Sequence, residues 1–231
     1  MIDKTTTVSA ALAELADGST IMVGGFGVPG TPFTLINGVL ESGAAKLTLI
    51  KNEANEAGLG VSLLLEAGRV QRLITSHLGL NSVAITMMNS KHIEVDFFPQ
   101  GILAEKIRAG GAGLMAIITD IGINTILRRE ADVVLLAGRE GMIEPALRAD
   151  IALVHAAKAD RAGNLVYEKS ARNFNPLMAT AADLVIAEAE TIVEIGEIPP
   201  DQVHTPGAFV DHVVPIGDLL PEYGVLQHHV R

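Results

Sequence analysis

Short apolar runs, each closed by a polar or glycine-rich break, alternate along the chain with stretches whose apolar residues recur at helical spacing. The first such stretch carries Val8, Leu12 and Leu15 behind a cluster of threonines able to cap a helix, which predicts an amphipathic helix over residues 7–15. Asp17-Gly18 breaks it. Ile21, Met22 and Val23 then form a continuous, partly β-branched run, as a strand buried on both faces of a parallel sheet requires. Residues 32–40 read as a helix with Thr31 as N-cap and Gly43 beyond its end, and residues 47–50 as a second strand. Strand, helix and strand in that order imply a right-handed crossover and parallel pairing.

The alternation continues through the chain. Strands are predicted over residues 70–76 and 93–98, and helices over 82–90 and, following Pro99-Gln100-Gly101, through Arg108, the latter ended by a turn at Gly110-Gly111-Ala112-Gly113. Residues 114–118 are expected to continue the same sheet. Further strands are predicted over 133–137, 151–156, 165–167, 184–188 and 208–214, with a polar, hairpin-like connection over 138–141 and an alanine-rich helix over 177–182. No repeat, low-complexity tract or linker interrupts residues 1–231. The expectation is a single α/β domain: a Rossmann-like, open, largely parallel twisted sheet flanked by helices.

The break after the first strand is unusual in its chemistry. Gly24, Gly25, Gly27 and Gly30 tolerate positive φ and close approach of other atoms, while Pro29 and Pro32 fix φ and interrupt pairing. A strand, a glycine loop and a helix N-terminus in that order make a site for a phosphate or carboxylate, or else a tight turn that holds no ligand. The spacing fits neither the dinucleotide fingerprint nor a nucleotide P-loop. Residues 51–58 form a polar loop at the carboxyl end of the second strand, where open α/β sheets place ligands, though a solvated surface loop reads the same way. Gln100, just past another strand, could donate to a carboxylate without the desolvation cost of a buried cation, or could simply serve a turn. His77 reads as a structural residue, Lys106 as part of a solvated helix face, and the adjacent His228-His229 as a frayed tail.

Composition narrows the partners. Apolar residues make up 48% and charged residues 19% of the 231, which hints at a face covered by another subunit. A formal charge of −10 argues against nucleic acid or an anionic membrane, so an anionic ligand would need a local basic patch such as Lys169 and Arg172. With no cysteine there is no thiolate nucleophile, cysteine metal site or disulfide. No apolar signal core opens the sequence and no run approaches the about 20 residues of a membrane span, so the cytoplasm is the expected location.

The pattern Asp17-Gly18, two residues, Ile21-Met22-Val23, Gly24-Gly25-Phe26, three residues, Gly30, one residue, Pro32 resembles the signature of the α subunit of family I coenzyme A transferases. Pro99-Gln100-Gly101, residues 104–113, 158–164 and 169–175 continue the likeness in the same order, from about Thr7 to Val213. Phe174-Asn175-Pro176-Leu177 and Thr205-Pro206-Gly207 look closest to short-chain enzymes acting on acetate, butyrate or acetoacetate. The sequence departs from the family over residues 119–125, where Pro-Thr-Gly, an aromatic or Val, then Gly-Thr is usual.

The resemblance implies the coenzyme A transferase type of fold, with coenzyme A or acyl-CoA as a substrate rather than a permanent cofactor. It implies that Gly24, Gly25, Phe26, Gly27, Val28, Pro29 and Gly30 bind it, and that Asn52 and Gln100 support catalysis. It also implies a β subunit, in a heterodimer or α2β2 heterotetramer. That subunit's glutamate would attack the acyl-CoA, pass through an anhydride and a glutamyl-CoA thioester, and hand CoA to a short-chain carboxylic acid with ping-pong kinetics. The Glu-Asn-Gly motif of that subunit is missing here, and Glu53 occupies the topologically similar loop without an assignable oxyanion donor. Two other readings stay open: a sugar-phosphate isomerase or hydrolase on a related fold, and a non-catalytic acyl-CoA-binding protein.

Overall fold

The computed structural model describes residues 2–79, 81–129, 132–217 and 219–223, so the histidine pair at 228–229 lies outside the described residues. Seven strands form the backbone of the main sheet: β1 (Thr20–Val23), β2 (Leu47–Ile50), β3 (Val70–Thr75), β4 (Glu94–Phe97), β8 (Ala149–Asp160), β10 (Ala182–Val193) and β11 (His212–Pro215). Their order is β11-β10-β8-β1-β2-β3-β4, every pair parallel, with the short β9 (Leu165–Val166) antiparallel on β8. Ile21 of β1 pairs with Leu49 on one side and with Ile151 on the other, which makes the gap between β1 and β8 the point where the winding reverses. The glycine loop leaves β1 at this point.

Alternate residues of β1 feed two cores, as a period of two demands. Ile21 and Val23 point into a layer with Leu35, Ile36, Leu64 and Leu65, whereas Met22 points into one with Leu103, Ile107 and Met178. The first layer is roofed by α1 (Val8–Ala11), α2 (Phe33–Ser42), α3 (Val61–Glu66) and α4 (Ser82–Asn89), the second by α5 (Gln100–Gly111) and α6 (Asn175–Met178). Thr7 caps α1 by accepting from Ala10 N at 3.3 Å, and Gly43 ends α2 at φ +79°, both as the sequence predicts. Among the described residues no helix is long and apolar enough to cross a membrane.

Three expectations are corrected. Residues 114–118 do not continue the main sheet; β5 (Ala116–Thr119) joins β6 (Val133–Leu136) and β7 (Arg139–Pro145) in a separate antiparallel sheet of order β5-β7-β6. The segment 138–141, expected as a connection, is largely strand, because the turn is only Ala137-Gly138, both at positive φ (49° and 76°) as a tight hairpin requires. Gly110 and Gly111 are not a turn but the end of α5. A Cβ on Gly110 would lie 1.9 Å from Leu147 O and one on Gly111 2.0 Å from Thr180 Oγ1, so they are glycines for close packing of the helix.

Candidate active site

Beyond β1 the chain folds back on itself in short steps. Gly24 N donates to Leu153 O at 2.9 Å, Phe26 N to Pro29 O at 3.1 Å, and Thr31 N to Val28 O at 3.1 Å. What approaches the glycines closely is the protein's own chain: a Cβ on Gly24 would stand 1.9 Å from Asn175 Oδ1, and one on Gly30 2.4 Å from Ala171 O. Asn175 Nδ2 donates to Gly30 O at 3.0 Å and to Ala171 O at 2.8 Å, and Asn173 Nδ2 to Pro29 O at 2.9 Å. The segment 169–175 thus buttresses the loop through its asparagines. Lys169 and Arg172 stay exposed, with no ion pair among the described residues. Phe26 is left 45% exposed at the loop's outer edge.

The N-terminus of α2 is not open to an external anion, contrary to the expectation from the loop. Leu35 N donates to Glu188 Oε2 at 2.9 Å and Phe33 N to Tyr223 Oη at 3.3 Å, so the carboxylate at this helix end is the protein's own. Nor does Thr31 cap the helix; its hydroxyl turns to Gly27 O at 2.7 Å. Glu188, fully buried, also accepts from Tyr223 Oη and lies 2.8 Å from His155 Nδ1, while His155 Nε2 lies 3.0 Å from Glu190 Oε1. Burial opposes charge on His155, but the hydrogen bonds and charges of Glu188 and Glu190 outweigh it and raise the imidazole to about 9. A folded pKa above the unfolded value makes this stabilisation complete below the ordinary pKa of 6.5 and lost as pH climbs through about 9. We expect thermal melts to fall between those two values by an amount equivalent to about 3 kcal/mol, and His155→Gln to remove that slope.

Residues 51–55 of the polar loop after β2 are buried rather than solvated, and they form one connected network, while 56–58 stay exposed. Lys51, fully buried, donates to Gly24 O at 3.1 Å and Thr31 Oγ1 at 3.2 Å and pairs with Glu53 Oε1 at 3.0 Å. Burial pulls the Lys51 ammonium below the usual lysine range, against the pull of Glu53. Asn52 Nδ2 donates to Glu53 Oε2 at 2.8 Å, and Asn52 Oδ1 accepts from Gln100 Nε2 at 2.8 Å and from Ser76 Oγ at 3.0 Å. Asn55, held at φ +54°, donates to Gly27 O at 2.9 Å and accepts from Val61 N at 3.1 Å. The two supporting residues read from the sequence therefore meet. Asn52 is wholly buried behind Gln100, and Gln100 is exposed.

Two spaces flank the loop. Phe26, Gln100, Ala104, Asn173, Phe174 and Leu177 line an open groove of about 330 Å³. Val28, Glu53, Asn55, Leu59, His77 and Leu78 line a smaller, more enclosed one of about 60 Å³. α5 starts at the groove with Gln100, and among the described residues no side chain caps its first turn. Glu53 is poorly placed to attack anything: Lys51 and Asn52 hold its two oxygens, and Asn55 Nδ2 lies 3.4 Å from Oε1. Lys106 is not solvated either; it is buried, 2.7 Å from Glu144 Oε2 and 4.3 Å above the Phe98 ring. Sequence reasoning missed Lys51, Asn55, Glu188 and Tyr223. The one local signal was a lysine directly after an apolar strand and before Asn52-Glu53, where the cation needs a buried partner.

Comparison with known proteins extends this picture. The coenzyme A transferase family model matches residues 5–215. The chain is 49% identical over 212 residues to a probable coenzyme A transferase subunit alpha of Bacillus subtilis (strain 168), covering 91% of this chain and 93% of that one. It is 44% identical over 214 residues to the acetate CoA-transferase subunit alpha of Escherichia coli (strain K12), covering 93% and 97%. An acyl-CoA transferase from Escherichia coli O157:H7, solved as a thioester complex with CoA, superposes with a TM-score of 0.85 over 95% of this chain and 48% of that one; at 23% identity it speaks for the fold alone. With its parallel sheet, its glycine loop at the switch point and these matches over most of its length, the chain belongs to the coenzyme A transferase family.

Proposed function

We propose that this chain is the α subunit of a short-chain acyl-CoA:carboxylate CoA transferase, working with a β subunit that supplies the nucleophilic glutamate. The observation that carries the reading is a groove that offers a neutral amide donor, Gln100, while the adjacent carboxylate, Glu53, is locked in a buried ion pair. Such a half-site can steady a developing oxyanion but cannot start the reaction. In the proposed cycle the partner's glutamate attacks the thioester carbonyl and expels CoA thiolate, leaving a mixed anhydride. The thiolate then attacks the glutamyl carbonyl and releases the first acid. The resulting glutamyl-CoA thioester is opened by the acceptor acid through the reverse steps. Gln100 donates to the oxyanions, and Asn52 holds Gln100 in place. The glycine loop, with Phe26 at its edge, forms one wall against which the acyl-CoA lies, and Lys169 and Arg172 supply cations for its phosphates.

The test uses the chain alone and combined with a β subunit, with acetyl-CoA as donor and butyrate or acetoacetate as acceptor. The isolated chain is expected to be inactive and the complex active. Borohydride reduction of the acyl-CoA-treated complex is expected to trap a modified glutamate that peptide mapping places on the β subunit. Turnover by the chain alone, or modification at Glu53, overturns the two-subunit reading. Acyl-CoA binding without turnover in the complex reduces the chain to a binding protein.

A further inference from the structure

We infer that the buried Lys51–Glu53 ion pair is the element that fixes the position of the Gln100 donor, an inference that rests on Gln100 acting as the donor proposed above. The chain of hydrogen bonds leaves no freedom of direction. An ionised carboxylate only accepts, so the Asn52 atom 2.8 Å from Glu53 Oε2 must be its nitrogen, and its oxygen must face the other way. That oxygen meets the Gln100 side chain at 2.8 Å, which must therefore present its nitrogen inward. One N–H of Gln100 is spent on Asn52, and its second N–H is held at a set place beside the groove that Phe26 and Phe174 also line.

Lys51 lies 3.0 Å from Glu53, with both side chains buried, and ties the pair to the loop through Gly24 O and Thr31 Oγ1. Ser76 cannot impose the direction in place of Glu53, because a hydroxyl can either donate or accept. With a neutral amide at position 53, Lys51 and Asn55 Nδ2, which donate toward the Oε1 site from 3.0 and 3.4 Å, draw the amide oxygen there and leave its nitrogen facing Asn52, so the polarity along the chain is reversed. In the reversed state Gln100 turns its oxygen inward and its nitrogen moves across the width of the amide group. Displacements of about 1 Å at a reacting centre cost roughly a hundredfold in rate. Lys51 and Glu53 are thus positioning residues, which act on the reaction only through Asn52 and Gln100.

The experiment is a double-mutant cycle measured on the complex with the β subunit. Glu53→Gln is expected to lower kcat about a hundredfold while KM for acyl-CoA moves by less than about threefold. Because this variant leaves Lys51 without its partner, Lys51→Met/Glu53→Gln serves as the companion, with both charges removed and the fold retained, and it is expected to show the same loss of kcat. In a Gln100→Ala background, itself expected to lose roughly 100- to 1,000-fold, neither change is expected to lower kcat further. Additive losses in that background overturn the inference and make the ion pair merely structural. Full kcat in Lys51→Met/Glu53→Gln, with Gln100→Ala crippled, overturns the positioning role alone. Near-normal activity in Gln100→Ala overturns the donor role and the inference with it.

Discussion

Replacing Lys51 with methionine is expected to lower the melting temperature by roughly 6–20 °C. Lys51 is fully buried and is the one cation paired with Glu53, itself 6% exposed, among the described residues. Removing one partner of a buried pair costs about 3–5 kcal/mol, because the other charge is left without compensation. For a chain of this size each kcal/mol shifts the melt by roughly 2–4 °C. Methionine fills a similar volume, so the loss is electrostatic rather than a cavity. The companion change Glu53→Gln should restore much of the stability, since a neutral pair of similar shape has no charge to desolvate. A thermal melt of the three variants checks this, and a single Lys51→Met variant that melts with the wild type would show that the ion pair contributes nothing to stability.

Gln100→Ala is expected to reduce kcat of the assembled enzyme roughly 100- to 1,000-fold with little change in the melt. Loss of one oxyanion donor typically removes about 2.7–4 kcal/mol of transition-state stabilisation. The side chain is exposed and its described hydrogen bond goes to Asn52, whose oxygen keeps Ser76 as a second donor at 3.0 Å. The fold therefore loses little. Steady-state kinetics with acetyl-CoA, alongside a melt, separates the two effects; a fall in kcat of less than about threefold would assign Gln100 to the start of α5 and nothing more.

The parallel half of the molecule is legible in the sequence because its signals are local. The apolar runs at 21–23 and 47–50, the glycines at 18 and 43 and the threonine at 7 each announce an element through its own neighbours. The small sheet is hidden for the opposite reason. Its tight turn uses Ala137 at positive φ where asparagine or aspartate would be the recognisable choice, and Arg139, Glu140 and Gly141 look like a solvated loop. Asn52 and Gln100 can be picked out by their places at strand ends, and the structure brings them into contact. What caps α2 cannot be picked out in that way, since Glu188 lies 153 positions from the amide it satisfies and reads in its own context as a strand residue. Lys51 and Lys106 mislead similarly: a lysine beside other charges looks solvated until its distant or folded-back carboxylate is known.

The reversal of winding between β1 and β8 also bears on how the molecule assembles. β1 to β4 follow one another along the chain and can pair as soon as they are made, but Ile21 must wait for Ile151 before the other edge of β1 closes. Contacts so distant along the chain are slow to form, because loop-closure entropy must be overcome before they stabilise anything. The glycine loop hangs on the late side of this seam: Gly24 bonds to Leu153, Gly30 to Asn175, and the helix behind it to Glu188. A nascent chain that has emerged only through α5 therefore carries Asn52 and Gln100 but has no formed wall opposite them, so the groove takes shape among the last events of folding.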